Sequence, residues 1–83
     1  MHSEIREIIA RTVELPGGID GLSDMGDLYE AGMTSFGSVQ LMLALEEAFD
    51  VEFPERMLNR RLFSSIATIN AALEELRSEK VGG

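Results

Sequence analysis

The sequence predicts an all-α fold: a small four-helix bundle of three longer helices and one short one, with a long first loop. Three observations carry that prediction. Apolar residues recur at helical spacing in three separate stretches. Hydroxyl residues, the preferred helix openers, stand ahead of each stretch. No segment alternates at period two, as a half-buried strand would.

The first helix opens near Ser3, whose hydroxyl caps free N–H groups, and places Ile5, Ile8, Ile9 and Thr12 on one stripe. Pro16-Gly17-Gly18 ends it. Residues 16–34 keep no sustained period, and a connection of that length in a compact domain is uncommon and usually functional. Ile19, Leu22, Leu28 and Tyr29 are the residues available to pin it onto the helices. Asp20, Asp24 and Asp27 lack Ca²⁺-loop spacing and read as solvated acids.

The strongest helix runs from Ser35 to Phe49, and at 100° per residue Leu41, Met42, Leu45 and Phe49 share its core face. Val51-Glu52-Phe53-Pro54 follows as an extended link, because the residue before proline is pushed out of the helical region. Residues 55–59 form one or two helical turns with Met57 and Leu58 facing inward. Ser64 or Ser65 caps a last helix whose Ile66, Ile69, Leu73 and Leu76 share a face. One domain is expected over residues 1–83, with 80–83 frayed.

Composition narrows the function. A chain of 83 residues buries only about 60% of its unfolded surface, so its core must be simple. It has no cysteine, which removes disulfides and thiolate metal sites. Fifteen acids against seven bases leave a formal charge of -8, which repels nucleic acid and anionic lipid and favours basic partners. No apolar run reaches the roughly 20 residues of a membrane span, and the first residues lack a signal-peptide pattern. A soluble cytoplasmic monomer is expected, with neither nucleic-acid nor membrane partners. The one histidine is His2, and no nucleophile-base pair is apparent. Neither a catalytic residue nor a metal site is therefore expected.

Thr34 and Ser35 stand at the mouth of the second helix, where the ordinary role of such residues is the N-cap. The same place suits a phosphate, since unpaired N–H groups and the positive end of the helix dipole converge there. This physics permits a phosphorylated or otherwise phosphate-bearing serine without choosing among them.

Gly32-Met33-Thr34-Ser35-Phe36, then Leu45-Glu46-Glu47-Ala48-Phe49 and Val51-Glu52-Phe53-Pro54, resembles the acyl carrier protein family over nearly the whole chain. The resemblance implies that Ser35 is esterified to 4′-phosphopantetheine, taken from coenzyme A by a phosphopantetheinyl transferase. A chain without cysteine then draws its cargo-bearing thiol from the cofactor. The family's aspartate before the serine is Thr34 here, and its acids in the next turn are replaced by Gly37, Ser38 and Gln40. The combination Met33-Thr34-Ser35-Phe36, Ser38-Val39-Gln40-Leu41-Met42-Leu43, Glu46-Glu47-Ala48-Phe49-Asp50 and Leu58-Asn59-Arg60-Arg61 is similar to the bacterial aminoacyl carrier proteins charged by seryl-tRNA-synthetase-like amino acid:[carrier protein] ligases. Such a ligase and a downstream acceptor enzyme are the further partners implied. A carrier for fatty-acid or polyketide-type synthesis is the alternative within the family, and an unmodified acidic interaction module the alternative outside it.

Phe36, Val39 and Leu43 lie opposite the core stripe, with Glu46, Glu47 and Asp50 around them. They are expected to form an apolar docking strip with an acidic rim, joined by Thr34 and Gln40. Arg56 and Arg60, in a small basic cluster with Arg61, are candidates for recognition of one partner.

Overall fold

A computed structural model of the chain describes residues 2–82, with side chains through Ser78. The helices are α1 (His2–Thr12), α2 (Ser35–Phe49) and α3 (Ile66–Gly82), with one 3-10 turn at Glu55–Met57 between the last two. No strand occurs among the described residues. The expected fraying of residues 80–83 lies outside the residues whose side chains are described.

Each helix forms where its apolar stripe meets a shared core. Ile5 and Ile9 of α1, Leu41 and Leu45 of α2, and Ile66, Ile69 and Leu73 of α3 are fully buried in one cluster. Met42 and Phe49 pack on its margin. α1 lies against both α2 and α3. Ser65 caps α3: its Oγ accepts from Thr68 N–H at 3.2 Å, and Thr68 Oγ1 accepts from Ser65 N–H at 3.2 Å. That reciprocal pair is a capping box with threonine in the place of the usual glutamate or glutamine.

The structure departs from three expectations. α1 begins at His2, so Ser3 lies inside its first turn rather than ahead of it. The short fourth helix is a single 3-10 turn. Pro54 supplies no side-chain cap, and Leu58, at φ -80 and ψ 82, has already left helical geometry. Met57 of this turn is buried as expected, whereas Leu58 is 43% exposed.

The long loop is tied down at several points. Leu28 is fully buried, and Ile19, Leu22 and Tyr29 pack on the core. Leu28 N–H donates to Ser64 O at 2.7 Å, and Ala67 N–H donates to Asp24 O at 2.9 Å, which stitches the loop to the head of α3. Arg6 reaches over from α1, donating to Ile19 O at 3.1 Å and to Asp24 Oδ1 at 2.7 Å. His2 Nδ1 lies 3.2 Å from the other Asp24 oxygen.

Two of the three loop acids are thus engaged rather than merely solvated. The hydrogen bond from Arg6 holds the Asp24 carboxyl below the usual carboxylate range; His2 acts in the same direction, and partial desolvation opposes both. Asp27 Oδ1 accepts from Tyr29 N–H at 2.8 Å, closing an Asx turn. Among the described residues no group of His, Cys, Asp and Glu gathers as a metal site would. No helix among them is long and apolar enough to cross a membrane.

Candidate functional site

The site begins with a division of labour between adjacent hydroxyls. Thr34 has extended backbone geometry, and its Oγ1 accepts from Gly37 N–H at 3.0 Å, so Thr34 is the N-cap of α2. Ser35 is the first helical residue, exposed to solvent, and its hydroxyl makes no hydrogen bond among the described residues. The cap is therefore Thr34 and not Ser35. The serine hydroxyl stays available for chemistry.

Its surroundings are held firmly. Met33 is buried, and its N–H donates to Leu28 O at 3.0 Å. Gly32 has φ +123, and a Cβ there would stand 2.7 Å from Pro16 Cδ, so only glycine suits both the conformation and the contact. The first turn of α2 holds no acid, which leaves the positive end of the helix dipole uncompensated by carboxylates. An exposed, unbonded hydroxyl in that setting fits a phosphodiester.

Ser35 lies beside a groove of about 480 Å³ lined by Ser38, Val39 and Met42 of α2, Leu58, Asn59 and Arg60, and also Tyr29 and Phe63. On the other side of the head of α2, Thr34, Phe36 and Gln40 line a separate groove of about 930 Å³ shared with the end of α1 and Pro16. Phe36, Val39 and Leu43 are 71%, 49% and 56% exposed. Burial of α2 on two sides would have hidden them. Instead they form a solvent-facing apolar strip along the helix, at the i, i+3, i+7 spacing of one face.

The remaining expected docking residues separate in space. Glu47 is exposed. Glu46 is half-buried and has a structural task, its Oε2 accepting from Phe53 N–H at 2.9 Å to fold the link after α2. The basic cluster divides. Arg60 lines the Ser35 groove, whereas Arg56 and Arg61 line another groove toward α3, where Arg56 stands 3.8 Å from Glu75.

The Arg60 guanidinium lies 3.9 Å from the centroid of the Tyr29 ring, a cation-π contact within the Ser35 groove. The sequence marks Tyr29 only as a pin for the loop. No periodic signal links it to Arg60, because the two come from irregular segments far apart in sequence.

Fold and site together define a small all-α domain that presents one free hydroxyl at the head of a helix, beside an apolar strip. The model of the family described as the phosphopantetheine attachment site matches residues 3–76, and the chain belongs to that family. Its prosthetic group is covalently attached 4′-phosphopantetheine. The chain is 55% identical to an aminoacyl carrier protein of Agrobacterium fabrum, over 83% of each chain. It is 36% identical to a D-alanyl carrier protein of Lactobacillus acidophilus, over 72% of this chain and 80% of that one. Among solved structures it is similar to a chain in the complex of an engineered Bradyrhizobium japonicum glycine:[carrier protein] ligase with a carrier protein from Agrobacterium tumefaciens and AMP. That match has 51% identity and a TM-score of 0.86, covering 89% of this chain and 99% of the other.

Proposed function

We propose that the chain is an aminoacyl carrier whose prosthetic arm is esterified to Ser35. The observation that carries the attachment point is the pair at the head of α2: Thr34 takes the cap, and Ser35 offers an exposed hydroxyl with no competing bond. When attached, the arm supplies a terminal thiol, which holds the cargo as a thioester. The chain's own residues orient the attachment point, keep it exposed and offer the surface on which a loading enzyme settles. None of them acts as acid, base or nucleophile on the cargo in this reading.

The similarity to carriers of amino acids, one of them found with a glycine:[carrier protein] ligase, supports a small amino acid as cargo and such a ligase as the loading enzyme. Phe36, Val39 and Leu43 supply the apolar centre of the docking surface; Thr34, Gln40, Glu47 and Arg60 flank it. Glu46 contributes through the link that it folds, and Arg56 at the periphery. A phosphopantetheinyl transferase and a downstream acceptor enzyme complete the set of partners, and the protein works as a cytoplasmic monomer.

The test is charging. The arm-bearing protein, ATP, labelled glycine and a glycine:[carrier protein] ligase should yield label bound to the protein and released by hydroxylamine, as a thioester is. No label on this chain, under conditions that charge the Agrobacterium carrier, would overturn the aminoacyl reading. Loading by fatty-acid enzymes instead would move the chain to the acyl branch of the family.

A further inference from the structure

Arg60 is the cation of the Ser35 groove, and three features define its setting. Its guanidinium is stacked on Tyr29 at 3.9 Å. It has no carboxylate partner among the described residues, a state it shares with Arg11, Arg61 and Arg77. It lines the same groove as the Ser35 side chain. A cation-π contact engages the charge of the guanidinium without using its N–H donors as hydrogen bonds, so those donors remain available to take an anion. The stacking also restricts the side chain, so less rotamer freedom is lost when the anion arrives.

The neighbourhood lacks the charge that would compete. The first turn of α2 has no acid, and no carboxylate lines the groove, whose polar members besides Arg60 are Tyr29, Ser35, Ser38 and Asn59. Asp27 Oδ1 accepts from the N–H groups of Tyr29 and Glu30, at 2.8 and 3.3 Å, rather than from Arg60. Glu30 is exposed to solvent, where screening weakens its hold on a cation.

From this arrangement we infer that Arg60, braced on Tyr29, is a positioning residue that pairs with the phosphodiester placed on Ser35. It thereby sets the direction in which the arm leaves the protein, along the groove toward Leu58 and Met42. The inference rests on Ser35 being the attachment point. No bond is made or broken in it; a cation held in place by the chain meets the one anionic group that modification adds there.

The experiment compares wild type with Arg60→Ala, Arg60→Lys and Tyr29→Phe, each before and after modification by coenzyme A and a phosphopantetheinyl transferase. Intact mass first establishes that every variant is fully modified. The readouts are the ³¹P shift of the arm's phosphodiester and the shifts of Arg60 Nε–H and the residue-29 ring. In wild type, modification should move the Arg60 and Tyr29 signals and slow exchange of Arg60 Nε–H. The ³¹P shift should depend on salt. Arg60→Ala should lose the salt-dependent ³¹P shift and the response at Tyr29. Arg60→Lys should retain part of both, and Tyr29→Phe, which keeps the ring, should retain most. If Ser35 takes no arm, the attachment reading fails and this inference falls with it. If wild type is fully modified but Arg60 and Tyr29 do not respond, or Arg60→Ala shows the wild-type ³¹P shift, the inference alone is wrong.

Discussion

Thr34 and Ser35 share a functional group and differ in what their backbone positions let it do. Thr34, still extended, turns its oxygen back onto Gly37 N–H, while Ser35, already helical, points its hydroxyl outward. Thr34→Ala should therefore cost about 1 kcal/mol of stability, the usual worth of an N-cap, as read by denaturant unfolding. Thr34→Asp should keep the cap, since a carboxylate accepts the same bond and favours the helix N-terminus. Either change should leave Ser35 modifiable. The sequence left Thr34 and Ser35 as equal candidates for the cap because propensity favours both; backbone geometry at a single residue separates them. Tyr29 and Arg60 were harder still, since a stacked pair between two irregular segments leaves no spacing to read.

Among the elements, the helices were legible and the links were less so. The bounds of α2 were readable because its apolar face has helical period and its head carries a cap; residues 55–59 were too short for period to distinguish a helix from a 3-10 turn. The loop before α2 has no period at all, yet it is fixed by Leu28 in the core and by the Arg6–Asp24 pair. Leu28→Ala should cost about 2–5 kcal/mol, as large-to-small changes at fully buried sites do. Asp24 gives the loop a pH dependence. Its carboxyl is depressed in the folded state, so its contribution is complete above the ordinary carboxylate range of about 4 and is lost as pH falls through the lower folded value. Asp24→Asn should therefore show a shallower loss of stability with acid in that window, measured by unfolding at stepped pH. On α2, Val39→Asp should raise the ligase KM for this carrier about tenfold or more, as loss of a central apolar contact of 1–3 kcal/mol would, with helix content unchanged by circular dichroism. Undiminished charging of that variant would place docking elsewhere.

For the whole molecule, three helices and a tethered loop close one apolar cluster, and function is left to the surface. That surface carries a formal charge of -8 and an apolar strip on α2. On the proposed function, such charge would steer a basic partner during approach, and the strip would supply contact once docked. The association rate with a ligase should therefore fall several-fold as salt rises through the physiological range, with a smaller change in dissociation. Stopped-flow binding at stepped ionic strength measures both rates. On the proposed function, this organisation serves the Ser35 hydroxyl. The most direct measurement is intact mass after incubation with coenzyme A and a broad-specificity phosphopantetheinyl transferase, on wild type and Ser35→Ala. Wild type should gain one phosphopantetheine mass and Ser35→Ala none; an unmodified wild type beside a loaded control carrier, or a modified Ser35→Ala, would contradict the account.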